Sequence, residues 1–153
     1  MPIDFYLAEK IVLLPYMELL FENVAKTASI FFYPEADMGR LKLAGKIDTD
    51  DFKTAYDKLL EYAVEKKLHK GILDLTDLQY SPPLARAWLA TNFAKRALKF
   101  LDKSPIIGIV KSQNAFQRLA ASAVISSLGM LGSKIKIEFF ETLAEAENWL
   151  KNQ

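Results

Sequence analysis

The five residues Ile106-Ile107-Gly108-Ile109-Val110 contain no polar side chain, and they constrain the chain more than any other segment. Side chains along a β-strand alternate between the two faces of its sheet. A strand that is apolar at every position has to be covered on both faces, which is the condition of a central, parallel strand. Pro105 opens this run, and the segments on either side of it carry helical periodicity. The chain therefore supplies its own cover.

The remaining turn signals divide the sequence cleanly. Ala28 to Tyr33 (ASIFFY) is a β-rich run stopped by Pro34, and a turn from Glu35 to Gly39 follows. From Arg40 to Ile47, apolar Leu41, Leu43 and Ile47 alternate with Arg40, Lys42 and Lys46. Two such runs joined by a short loop read as an antiparallel hairpin. Phe52, Ala55, Tyr56, Leu59, Leu60 and Ala63 then fall on one helix face. Thr49 is its predicted N-cap, and Asp50 and Asp51 suit the positive end of the helix dipole. Lys66, Lys67, His69 and Lys70 suit the far end, before Gly71.

Ile72 to Leu75 reads as a short strand. Ser81 before Pro82 is predicted to cap a second helix running to about Leu101. That helix has Leu84, Ala85, Trp88, Leu89, Phe93, Ala97, Leu98 and Leu101 available for burial. Asn114 and Gln117 form a capping-box pattern that opens a third helix to about Leu131, closed by Gly129 and Gly132. Ile135 to Phe140 alternates as a strand, and Thr142 with Glu145 caps a last helix containing Leu143, Ala146, Trp149 and Leu150.

The order from residue 28 is β-β-α-β-α-β-α-β-α. It implies an α/β fold with a small mixed, mostly parallel sheet flanked by helices and joined by right-handed crossovers. Residues 28–153 make one domain. Residues 1–27 read as an N-terminal arm, in which Ile11 to Leu14 suggests either an extra edge strand or part of a helical arm.

Composition narrows the chemistry. With no cysteine among 153 residues, disulfides, thiol catalysis and cysteine-based zinc sites are excluded. The lone histidine, His69, rules out a paired-histidine relay or a histidine-rich metal site. Twenty basic and 19 acidic residues leave a net charge of +1, so nucleic acid is not an expected partner. Met1 to Lys10 lacks the pattern of a secretory signal. The longest charge-free run, Leu119 to Ser133, is shorter than the ~20 residues of a membrane span. The expected location is the cytoplasm, with peripheral membrane association open.

The chain resembles the SpoIIAA-like branch of the STAS superfamily, related to bacterial anti-sigma-factor antagonists. The resemblance rests on Gly45 at the end of the second strand, Asp74-Leu75-Thr76-Asp77-Leu78, and the Ser81-Pro82 helix start. It rests also on Trp149-Leu150 after Thr142-Leu143-Ala144-Glu145-Ala146. It covers about residues 21 to 151. In other members of the superfamily, a partner kinase phosphorylates a serine at the start of the helix after the Asp-Leu strand. That position falls here at Pro82 or Pro83, so the phospho-switch does not carry over. The resemblance also implies that binding of apolar ligands or membrane surfaces is open to such a fold.

Each candidate site has an ordinary structural counterpart. The carboxyl ends of parallel strands gather ligands in many α/β sheets. Here they would collect Asp48, Thr49, Thr76, Asp77, Tyr80, Ser81, Lys111, Ser112, Gln113 and Asn114, all residue types that also serve as caps and turns. Asp74 and Asp77 are read as a strand-end acceptor and a turn former rather than an acid-base pair. His69 is explained by a helix C-terminus.

The second helix carries Arg86, Lys95, Arg96, Lys99 and Lys103 beside Trp88, Leu89, Phe93, Phe100 and Leu101. Such a helix can dock on an anionic membrane or an acidic partner, or simply cover the sheet with a solvated basic face. The third helix has no charge between Arg118 and Lys134, and its apolar residues, Val124 and Leu128 among them, spread beyond one face. Such a helix calls for cover on more than one side, from the arm, a second subunit or an apolar ligand.

The expected function is a non-catalytic binding or regulatory module without a cofactor or metal. It would act through a protein partner, an apolar ligand or a membrane surface. The expected contacts are Tyr80, Ser81, Arg86, Trp88, Lys95, Lys99, Val124 and Leu128. The alternatives are a structural homodimer subunit, or a small hydrolase or transferase using the strand-end loops.

Overall fold

The computed structural model describes residues 16–153, so Ile11 to Leu14 and the residues before them lie outside the described residues. Six strands form one mixed sheet in chain order: β1 (Glu18–Glu22), β2 (Ala28–Tyr33), β3 (Met38–Lys46), β4 (Lys70–Tyr80), β5 (Ile106–Val110) and β6 (Lys136–Phe140). β1, β2 and β3 pair antiparallel, and β3 through β6 pair parallel. The first strand described thus falls inside the 1–27 segment, at Glu18–Glu22, on the sheet edge beside β2.

The helices are α1 (Thr49–Lys66), α2 (Pro83–Trp88), α3 (Ala94–Phe100), α4 (Ala115–Ser127) and α5 (Leu143–Lys151). Strands in chain order joined by right-handed crossovers place every crossover helix on the same face. Accordingly Ile30, Leu41, Leu43, Leu75 and Ile109 pack against Phe52, Ala55 and Tyr56 of α1, with Ala85, Ala121 and Ile125 from α2 and α4. Among the described residues the opposite face meets α5, where Tyr33, Met38, Ile72 and Val110 pack on Ala146 and Leu150. α5 comes close enough that a Cβ at Gly108 would be in ordinary van der Waals contact, 3.5 Å from both the Phe140 ring and the Ala146 methyl. As the all-apolar sequence of β5 requires, it is covered on both sides.

Local detail departs from the sequence reading in several places. β3 begins at Met38, so Gly39 lies in the strand opposite Phe32 and not in the turn. Asp37 takes the left-handed turn position, with φ +48°, a conformation aspartate tolerates better than most residues. The cap of α1 is Asp48 and not Thr49: its carboxylate accepts the Asp51 N–H at 2.8 Å. α1 ends where Lys67 turns left-handed, so His69 is not on the helix. His69 sits in the link to β4, and its carbonyl accepts the Ile106 N–H.

β4 is 11 residues long because β3 and β5 offer it partners along its length. Asp74 and Asp77 are therefore both strand residues. Asp74 is neither strand-end nor exposed: it pairs with buried Arg40 at 3.0 Å and accepts the Thr76 hydroxyl at 2.6 Å. Asp77 forms no turn and reaches across to Lys42 at 3.4 Å.

The second predicted helix is interrupted. Between α2 and α3, Leu89–Phe93 forms a π-helical turn in which the Ala94 N–H donates to the Leu89 carbonyl, five residues back. The Thr91 hydroxyl donates to the Ala87 carbonyl at 2.8 Å beside it. The inserted residue rotates the helix, and Ala85, Ala90, Ala94 and Ala97 become the buried positions. Leu84, expected in the core, is 80% exposed. α4 ends at Ser127, and a 3₁₀ segment, Gly129–Lys134, continues to β6.

Candidate functional site

The face that holds α1 to α4 is not filled. Its floor is branched and large, with Ile30, Leu73, Ile107 and Ile109 from the sheet. The helices above present alanines at their closest positions, Ala94 and Ala97 among them. Large side chains on one layer facing methyl groups on the other leave space, because the backbones cannot collapse onto the sheet. The result is an apolar cavity of about 170 Å³, walled on the helix side by Val124 and Ile125 of α4 and by Leu128 just beyond it. It extends down to His69, Lys70 and Pro105 near the amino ends of the parallel strands.

A second cavity of about 60 Å³ lies toward the carboxyl ends of the strands. It shares Tyr56, Leu73, Leu89, Ile109, Val124 and Ile125 with the first. The two spaces thus adjoin across one set of side chains. The Tyr56 ring borders both, and burial alone raises its phenol well above the usual tyrosine range, so it stays protonated.

The small cavity differs from the large one in its polar lining of Ser81, Arg86 and Gln117. Ser81 does not cap α2. Pro82 occupies that position without a side-chain cap, and the Ser81 hydroxyl, 2% exposed, turns inward. It donates to Gln117 Oε1 at 3.1 Å and accepts from Arg86 Nη1 at 3.2 Å. The same Arg86 nitrogen donates to the Ser81 carbonyl at 2.6 Å.

Asn114 caps α4 by accepting the Gln117 N–H at 3.1 Å, but the reciprocal half of the expected capping box does not form. The Gln117 side chain goes into the interior instead, and it too is 2% exposed. Its Nε2 has no hydrogen-bond partner among the described residues. The Ser81 oxygen has room for a second donor beside Arg86, but among the described residues its proton meets an acceptor when Oε1 is turned toward it, which favours this amide orientation.

The structure scatters the other expected contacts. Tyr80 is 44% exposed at the end of β4. Trp88 is half-buried, stacked near Phe93 at 6.0 Å, with the Lys53 ammonium and the Arg96 guanidinium over its ring. Arg96 is held by Asp57 at 2.6 Å, which leaves Lys95 and Lys99 as exposed cations of α3. Trp88 and the lysines therefore do not form one projecting amphipathic face. Val124 and Leu128 line the large cavity, while Ser122, Ala123, Ser126 and Ser127 on the outer side of α4 are exposed. Residues 16–27 lie at the far edge of the sheet from α4 and do not cover it.

Sequence reasoning missed Gln117 as an interior group, because its place three residues after Asn114 already had an explanation. The alanine series of the second helix carried the signal for the cavity.

Acid-base chemistry has little to work with. Asp74 and Asp77 are neutralised by different cations, and the buried Ser112 hydroxyl donates to the Leu78 carbonyl at 2.7 Å. The His69 pKa is lowered by desolvation and by Lys103 and Lys70, and those causes include no orienting carboxylate. Among the described residues, no group of three or more histidine, cysteine or acidic side chains could hold a metal. No described helix is long and apolar enough to cross a membrane.

A mixed sheet wound in chain order, with crossover helices banked on one face and a closing helix on the other, is a SpoIIAA-like fold. Within it the chain belongs to the SpoIIAA-like family, whose match runs over residues 39–151 and so begins at the start of β3. Among solved structures, it is similar to an uncharacterised protein with a SpoIIAA-like fold from Shewanella loihica PV-4. The two share 19% identity over 88% of this chain and 92% of that one, with a TM-score of 0.51. A search of curated proteins found no match.

Proposed function

We propose that this SpoIIAA-like domain is a non-catalytic binding module that takes an apolar ligand between its sheet and the helices α2 to α4. The observation that carries the reading is the cavity of about 170 Å³. Native interiors are packed nearly as densely as organic crystals, and their voids are small. An apolar cavity of about 150 Å³ stays dry when empty and takes up benzene. A ligand seated here would pack against an apolar lining of comparable volume.

The test is fluorescence titration with N-phenyl-1-naphthylamine, a neutral apolar probe. The full chain should take it up saturably near 1:1. An Ala94→Trp variant, folded by circular dichroism, should lose at least 90% of that uptake. Equal uptake by both proteins, or none by the wild type, overturns the reading.

A second reading places a protein partner on the exposed Tyr80, Leu84 and Phe116, at 44%, 80% and 63% exposure. Large apolar groups left in water near one end of a sheet commonly mark an interaction site. If so, Leu84→Ser with Phe116→Ser should abolish a complex that wild type forms in its host while leaving probe uptake intact. An unchanged complex refutes it.

A further inference from the structure

We infer that the ligand is a medium-chain monocarboxylic acid, its chain in the large cavity and its carboxylate on Gln117 Nε2 and Arg86 in the small one. This rests on the apolar-ligand reading above and adds the chemistry of the head group.

The unpaired amide nitrogen is the first support. A buried donor without an acceptor costs roughly 1–3 kcal/mol, and native interiors contain few. Gln117 is held in this state from two sides. The Asn114 cap fixes its backbone, and the Ser81 hydroxyl occupies Oε1. Both protons of Nε2 are left over, in a cavity that an apolar side chain would have filled. What is missing is an acceptor.

Charge is the second support. Arg86 is the only cation lining the small cavity, and its guanidinium makes no ion pair among the described residues. Only Nη1 is engaged, by Ser81. A carboxylate is acceptor-only and suits a guanidinium edge, so it satisfies both groups at once. An alcohol or amide head would bring a donor of its own into a site whose polar groups are mainly donors.

Geometry supplies the third. The polar cluster lines only the small cavity, and the large cavity beyond it is apolar apart from its lower end. The shared residues Tyr56 and Val124 make the two spaces neighbours, and a ligand that spans both requires those side chains to part. Cavities of about 170 and 60 Å³ hold a chain of roughly six to ten carbons at about 30 Å³ per water-sized group.

The experiment is isothermal titration calorimetry of the full chain with decanoate and decanol at pH 8. Decanoate should bind at least tenfold more tightly. Gln117→Leu should cost decanoate about tenfold and leave decanol within twofold. Equal affinities in wild type overturn the head-group assignment and leave the cavity reading standing. A Gln117→Leu variant that binds decanoate as wild type does overturns it too. If neither compound binds and N-phenyl-1-naphthylamine is also refused, the cavity reading itself falls. If the probe binds but neither ten-carbon compound does, the chain class is wrong. Should Gln117→Leu not fold, Gln117→Glu keeps the shape, replaces the donor with a like charge and should reverse the preference toward decanol.

Discussion

Ala94→Leu should stabilise the unliganded protein. Ala94 is buried on α3 and lines the large cavity, with Leu128, at the end of α4, in the same cluster. Leucine adds three carbons to a space lined by apolar side chains. At ~0.8 kcal/mol per buried methylene-sized group, the gain is about 2.4 kcal/mol. Leucine gives up roughly 0.5–1 kcal/mol of rotamer freedom and a little helix propensity. The net expectation is about 1.5 kcal/mol of added stability. For a domain of this length that raises Tm by about 3–6 °C.

Urea unfolding followed by tryptophan fluorescence measures it, since Trp88 and Trp149 both sit in packed clusters. The midpoint should rise with the slope unchanged. Probe uptake should fall more than tenfold in the same protein, because the space gained by the core is lost to the ligand. A variant destabilised by more than 1 kcal/mol would mean that leucine is overpacked there and the cavity is not available space.

Three further expectations follow from the same interior. Asp74→Asn leaves the Arg40 guanidinium buried without its counter-charge, so urea unfolding should show a loss of about 3 kcal/mol. Arg40→Met with Asp74→Leu should lie within about 1 kcal/mol of wild type; a single variant that costs under 1 kcal/mol contradicts the buried pair. Gly45 has φ +66°, and a Cβ added there would meet nothing within 4 Å, so Gly45→Ala should cost only the conformational ~1–2 kcal/mol and still fold. Unaltered stability would show that the bend relaxes. For His69, the folded pKa lies below the ordinary 6.5, so the unfolded chain binds the proton first as pH falls. Stability should therefore decline below about pH 6.5 and level off once the folded form also protonates. In His69→Gln this part of the decline should vanish, and a stability that rises on acidification would reverse the sign of the argument.

Much of the fold was legible because it is written in periodicities. ASIFFY matches β2 residue for residue, and Thr142 caps α5 as expected by accepting the Glu145 N–H, although the Glu145 carboxylate takes the Thr142 hydroxyl in place of its backbone N–H. Five apolar residues sufficed to place β5 inside the sheet. What escaped depends on partners remote in sequence. Nothing local to Arg40 reveals that Asp74, 34 positions on, draws it into the interior, where it stacks over Phe31. Nothing before Pro82 reveals that Ser81 prefers Gln117 to the helix end. The π turn escaped because one inserted residue leaves the composition of a helix unchanged while shifting which side faces inward.

The candidate site is the part that sequence describes least. Periodicity identifies residues that fill space, whereas a cavity is defined by what two layers fail to fill. Val124 and Leu128 were recognisable as apolar positions needing cover. Their role as a wall became visible only with Ala94 and Ala97 opposite. Gln117 was hidden by a sufficient local explanation of the same residue.

The chain-order sheet also dictates how the molecule assembles during synthesis. Each strand that leaves the ribosome finds its neighbour already made, since β2 through β6 each pair with the strand just before. Pairings of this kind close short loops, which favours early, stepwise growth. The exception is α5. It reaches back 114 positions, where the Tyr33 hydroxyl donates to Glu147 at 2.6 Å. Until that last helix emerges, Met38, Ile72 and Val110 have no cover from it, and a nascent chain halted before Leu143 carries a finished sheet whose apolar face lacks its closing helix. A chaperone that binds this protein on the ribosome would be expected to hold that face and to let go when α5 docks.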